Sequence, residues 1–130
     1  MGLVQAEARS ALIRSEAVHS RKLRSEKPAY PMNLTIGYLP AIKGGLKDRQ
    51  GLAISGAITI ALNEINNDPN ILPNVNLVMR WSDTRGETVE ATRAMLDMIC
   101  DRVVAFFGPE GTCFVEATVS ESRNIPMMSY

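Results

Sequence analysis

The chain has 130 residues, of which 45% are hydrophobic and 22% charged, and its 14 Lys and Arg balance 14 Asp and Glu to a formal net charge of zero. That is the composition of a folded globular chain rather than a disordered one, and a balanced charge excludes bulk nucleic-acid binding, which needs a clustered positive field. The longest uncharged, apolar-rich stretch, Gln50 to Asn63, falls short of the roughly 20 residues a bilayer-spanning helix needs, so no membrane contact by this segment is expected.

Residues 1–32 read as a basic leader. Arg9, Arg14, Arg21, Lys22, Arg24 and Lys27 outnumber Glu7, Glu16 and Glu26, and the longest apolar run is Ala11-Leu12-Ile13. A secretory signal needs an apolar core of about 7–15 residues, and a mitochondrial presequence avoids acids, so neither is recognisable. A disordered leader is expected at 1–32, and a folded unit at 33–130.

Leu34 to Leu39 is a short apolar run with β-branched residues, ended by Pro40, and predicts a buried strand. Residues 41–51 form a loop with Gly44, Gly45 and Gly51. From Leu52 the period becomes helical: Ile54, Ala57, Ile58, Ala61, Leu62 and Ile65 make one stripe, which Asn66-Asn67-Asp68-Pro69 ends. Val75 to Trp81 predicts a second strand, and Ser82-Asp83-Thr84-Arg85-Gly86 is turn chemistry. Glu87 opens a second helix whose apolar positions are Val89, Ala94 and Met95 to Ile99. Val103 to Phe107 is nearly continuous in apolar residues, the mark of a strand covered on both faces. Gly108 to Thr112 turns into a third helix over 113–122, Asn124 ends it, and Ile125 to Tyr130 starts a fourth strand. Strands alternating with helices predict an open parallel α/β sheet with right-handed crossovers and helices on both faces. No helix follows the fourth strand, which suggests a piece of a larger sheet.

The chain is poor in catalytic patterns. Its one histidine, His19, lies in the leader, and neither HExxH, paired CxxC nor the phosphate loop GxxxxGK[ST] occurs. Polar residues gather instead where strands end: the Lys43–Gln50 loop, Ser82 to Arg85, and Glu110 to Thr112. In open parallel sheets the ligand crevice lies at that edge. Ser82, Asp83, Thr84, Arg85, Glu110, Gly111 and Thr112 are therefore candidate ligand or anion contacts, with Asp83 and Thr84 equally able to cap the turn before the second helix. Cys100 and Cys113 flank a five-residue strand spanning about 16 Å. A disulfide needs α-carbons within about 7 Å, so a bond between them is not expected. A partner cysteine outside the chain, or a buried thiol, remains open. Asn33-Leu34-Thr35 is an N-glycosylation sequon.

Three stretches carry a family resemblance: "AITIALNEINNDPNILPNVNL", "WSDTRG" and "FFGPEGTCFVEATVSESRNIPMMSY". Residues 34–130 resemble the extracellular ligand-binding region of receptor guanylate cyclases, in particular the invertebrate type related to natriuretic peptide receptors. The resemblance implies a type I periplasmic-binding-protein fold of two α/β lobes, of which this chain would be the first part of lobe 1. It also implies a non-catalytic segment on the extracellular face of the plasma membrane. The whole receptor would be a single-pass homodimer that binds a peptide or small-molecule ligand and makes cyclic GMP from GTP. Natriuretic-type relatives hold chloride at the Gly-Pro turn, and the matching positions are Ser82, Gly111 and Cys113. Here that turn is longer by Glu110-Gly111-Thr112, and no cysteine stands near Gly86. Two alternatives stay open: a soluble solute-binding protein of the same fold, and a nucleotide-binding α/β enzyme domain using the Gly108–Thr112 turn.

Overall fold

A computed structural model describes residues 31–45 and 51–130. Residues 1–30 of the predicted basic leader, and the Leu46–Gln50 part of the first loop, lie outside the described residues; Met32, placed in the leader by its sequence, opens the first strand instead. The elements run β1 (Met32–Tyr38), α1 (Gly51–Asn67), β2 (Val75–Trp81), α2 (Thr88–Cys100), β3 (Ala105–Phe107), α3 (Phe114–Ser122) and β4 (Met127–Met128). All strand pairings are parallel, in the order β2-β1-β3-β4. The chain thus leaves β1 on one side to make β2, then crosses back to build β3 and β4 on the other. The sheet's order reverses between β1 and β3.

Alternation along β1 assigns its two faces. Tyr38 points to α1, where its hydroxyl lies 3.3 Å from Ser55 Oγ. Gly37 and Leu39 point the other way, into the main core of Leu39, Ala94, Met95, Met98, Val103 and Phe106, against which Ile99, Val119, Ile125 and Met127 pack. α2 and α3 pack together over this face. Gly37 is opposite Phe106 in the ladder, and a β-carbon there would lie 2.6 Å from the Phe106 ring and 2.9 Å from Met98 Sδ. Only glycine lets the ring lie on the β1 backbone.

β2 is an edge strand, and α1 covers part of that edge. Leu77 N–H donates to Asn66 Oδ1 at 2.8 Å, and Asn66 Nδ2 donates to the Leu77 carbonyl at 2.8 Å. In a parallel strand both backbone groups of one residue face the same side, so one carboxamide satisfies both.

The structure corrects several boundaries. β3 is shorter than predicted because Val103 N–H still bonds the Met98 carbonyl at the end of α2. Nor is the 103–107 run covered on both faces. α1 packs on β2, so Val104 stays 39% exposed, and Ala105 and Phe107 are half-buried. β4 is short because Ser120 Oγ and the Ser120 carbonyl both bind the backbone of Ile125, holding it to α3. The α1 stripe is narrower than its period suggests: Ile54, Ile58, Leu62 and Ile65 are half-buried, whereas Ala57 and Ala61 are exposed. A helix resting on the edge of a sheet covers fewer positions than one seated over its middle. Val89, expected on the apolar face of α2, is 66% exposed.

Candidate functional site

The loops after β1, β2 and β3 meet at one edge of the sheet. Thr84 ties the first two together. It is 1% exposed, its amide donates to the Pro40 carbonyl at 2.8 Å, and its hydroxyl donates to the same oxygen at 3.2 Å. That hydroxyl also accepts from Gly86 N–H at 3.3 Å, and the Thr84 carbonyl accepts from Glu87 N–H at 2.9 Å. Arg85 and Gly86 take the positive φ values, 57° and 74°, that the tight turn into α2 requires.

Asp83 is the second tie. Its Oδ1 accepts from the amides of Ile42 at 2.9 Å and Arg85 at 3.0 Å, and both oxygens accept from Lys43 N–H at 3.2 Å. Burial pushes the pKa of the carboxyl up, but the amides of Ile42, Arg85 and Lys43 and the Lys43 charge outweigh it, holding the group below the ordinary aspartate value of 3.8. Asp83 thus clamps the β1 loop to the β2 turn. Of the two roles the sequence left open, both Asp83 and Thr84 fill the turn-capping one. Neither caps α2 itself, whose N-cap is Glu87.

Between the first turns of α2 and α3 lies a cavity of about 180 Å³. Its floor is Ala41, Thr84 and Pro109; Gly86, Glu87, Thr88 and Ala91 form the α2 wall; Glu110, Gly111, Thr112 and Glu116 form the α3 wall. Of the candidate residues, then, Thr84, Glu110, Gly111 and Thr112 come together. Ser82, Asp83, Arg85 and Cys113 do not line the cavity. Ser82 continues the sheet, its amide donating to the Tyr38 carbonyl at 3.1 Å. Cys113 is the N-cap position of α3 and half-buried, Cys100 is exposed, and both are free thiols. Asn33 is exposed on β1, its Oδ1 accepting from Asn76 Nδ2 at 3.0 Å.

Sequence reasoning missed Glu116. It is 2% exposed, and its Oε2 has no hydrogen-bond partner. Oε1 of Glu110 is likewise buried and unpartnered. The signal was available: an acid in the first turn of a helix that starts at a strand's carboxyl end faces the same edge as the loop before it. Among the described residues, three acids and no Lys, Arg or His line the cavity.

That electrostatic character bears on chloride. The Gly111 amide donates to the Tyr130 carbonyl at 3.3 Å, Ser82 and Cys113 stand away from the cavity, and Glu110 and Glu116 flank it. The residues present do not fit a bound chloride. Among the described residues no group of three His, Cys, Asp or Glu side chains could hold a metal ion, and no helix is long and apolar enough to cross a membrane.

Comparison with known proteins gives a consistent picture. Residues 53–130 match the family described as receptor family ligand binding region. Over 97 residues, 75% of the chain, the sequence is 66% identical to the receptor-type guanylate cyclase Gyc76C of Drosophila melanogaster. Over 80 residues, 62% of the chain, it is 30% identical to the speract receptor of Strongylocentrotus purpuratus. The chain spans only 6% and 7% of the length of these two relatives. Among solved structures, a possible leucine/isoleucine/valine-binding protein from Rhodopirellula baltica superposes with a TM-score of 0.66 at 22% identity, over 78% of this chain and 28% of that one. A leucine-binding protein from Thermotoga maritima superposes with a TM-score of 0.61 at 22% identity, over 74% of this chain and 27% of that one. The fold is thus that of the type I periplasmic-binding proteins.

Proposed function

The chain belongs to the family of receptor ligand-binding regions, and on that premise we propose that residues 33–130 form the first part of lobe 1 of the extracellular region of a receptor guanylate cyclase. The segment is non-catalytic. It supplies one wall of a ligand cleft, and a second lobe elsewhere in the receptor supplies the other. The whole protein is a homodimer at the plasma membrane that couples ligand occupancy to cyclic GMP synthesis.

The observation that carries this reading is the place of the cavity. Ala41, Thr84 and Pro109 follow three adjacent strands at their carboxyl ends, where the strand order reverses between β1 and β3. Open α/β sheets bind ligands there because neighbouring loops diverge and leave a crevice. At about 180 Å³ the cavity admits a group little larger than a benzene ring. It therefore holds one end of a ligand whose remainder meets the second lobe. A ligand that touches both lobes favours their closed arrangement by its differential affinity for it, which is how binding becomes a signal.

The nucleotide-binding alternative fares poorly on the same geometry. Glu87, Glu110 and Glu116 line the cavity, among the described residues without a basic partner, and phosphate would be repelled. The solute-binding alternative draws on fold likeness alone, whereas the 66% identity is to a receptor. Asn33, exposed on β1, is a glycan acceptor in this reading.

The test is an epitope tag placed in the exposed turn around Asn70, in the gene's full product expressed in animal cells. Antibody should bind unpermeabilised cells, and replacing Asn33 should reduce the glycosidase-sensitive mass of the product by one glycan. Staining only after permeabilisation would overturn the receptor reading, and recovery of the full product from the medium would favour a free solute-binding protein.

A further inference from the structure

We propose that the cavity recognises a protonated amine through the carboxylates of Glu116 and Glu110, an inference that rests on reading the cavity as the first-lobe half of a ligand site. Glu116 is 2% exposed, and among the described residues its Oε2 finds no donor. Glu110 Oε1 repeats the pattern on the loop beside it. A carboxylate oxygen removed from water needs a donor, preferably a charged one. Two such oxygens line one cavity, and among the described residues no Lys, Arg or His lines it with them. On this proposal a bound group supplies the donor that the described residues do not.

Its chemistry follows from what surrounds it. A metal ion is a poor fit, since among the described residues no three ligating side chains converge. An ammonium group suits better: it carries one positive charge and three N–H donors in a compact volume. Ala41, Ala91 and Pro109 offer apolar wall for a short hydrocarbon stem beside it. The amine belongs either to a free small molecule or to a peptide, as its amino terminus or a lysine.

The test is NMR on the isotope-labelled full chain, following the amides of Gly86, Gly111 and Thr112. L-Leucinamide provides an amine without a carboxylate, 4-methylpentanamide is its neutral counterpart, and acetate is the anion control. Leucinamide should give saturable shifts, with the neutral amide weaker by about tenfold or more. Glu116→Gln should weaken leucinamide by a similar factor, and Glu110→Gln by a smaller one. Nα-acetyl-lysinamide and a free-amino tripeptide amide then separate a lysine side chain and a peptide terminus from a small amine, and any of the three binding through Glu116 supports the proposal. Equal shifts from the neutral amide, undiminished affinity in a folded Glu116→Gln variant, or a response to acetate alone would overturn it while leaving a ligand site in place. Silence of all three amides toward every probe would overturn both the amine assignment and the cleft reading. If Glu116→Gln does not fold, Glu110→Gln on the turn decides: unchanged leucinamide affinity there also overturns the proposal.

Discussion

Replacing Phe106 with aspartate should abolish folding. Phe106 is 1% exposed and stands between Gly37 and Met127 in the ladder, its ring lying on the glycine and against Met98. Removing such a ring and leaving its space empty costs about 3–5 kcal/mol. The new carboxylate would find no donor: the residue's own amide is already given to the Pro126 carbonyl at 2.9 Å, and its neighbours are a glycine, a thioether and alkyl groups. An unpaired buried charge adds several kcal/mol. The sum, about 6 kcal/mol or more, reaches into the 5–15 kcal/mol that holds an ordinary domain together. Urea titration followed by far-ultraviolet circular dichroism should show a cooperative transition in the parent and none in Phe106→Asp. Phe106→Leu, which keeps an apolar group, should retain the transition and lose about 1–2 kcal/mol. A soluble Phe106→Asp chain unfolding cooperatively within about 1 kcal/mol of the parent would refute the central placement of β3.

Other outcomes follow from the packing and the loop ties. Gly37→Ala places a β-carbon 2.6 Å from the Phe106 ring and should cost about 1–3 kcal/mol by overpacking, much of it recovered in the double variant with Phe106→Leu, as a double-mutant cycle would measure. Asp83→Asn swaps a carboxylate acceptor for a carboxamide facing the Ile42, Lys43 and Arg85 amides and should cost about 1–2 kcal/mol at neutral pH. Because the Asp83 carboxyl is held below its ordinary value in the folded chain, its contribution is complete above the unfolded-state value and is lost as pH falls through the folded one. Urea midpoints should therefore fall less steeply for Asp83→Asn than for the parent as pH is lowered through about 4. Asn66→Ala strips Leu77 of both edge partners. It should cost about 1–2 kcal/mol and raise concentration-dependent association, read by light scattering, because an uncovered edge strand invites pairing.

Much of the architecture was legible because it is local. Val75 to Trp81 lies between two turn signals, and the strand occupies those residues. Asn66-Asn67-Asp68-Pro69 stops α1 because Pro cannot continue a helix. Alternation of strands and helices called for a parallel sheet, which the pairings bear out. Boundaries drifted where a backbone hydrogen bond closing a helix end outbid the apolar pattern. Val103 is as apolar as any strand residue, yet the end of α2 holds its amide.

The site was legible only in part, for the same reason. Thr84, Glu110, Gly111 and Thr112 were found because sharing a sheet edge is a consequence of topology, and topology follows from the alternation of elements. Ser82, Asp83 and Cys113 share that edge in sequence, but which side chains turn inward depends on a few tens of degrees of backbone rotation that no spacing rule resolves. Asp83 has the composition of a ligand contact and spends its oxygens on the Ile42, Lys43 and Arg85 amides. Glu116 has the composition of a solvated helix acid and is buried instead. Periodicity along the chain determined the elements, their parallel direction and the edge at which the polar loops gather. Packing between segments remote in sequence decided which oxygens there are satisfied and which still lack a donor, because a hydrogen bond depends on distances that only the assembled sheet sets.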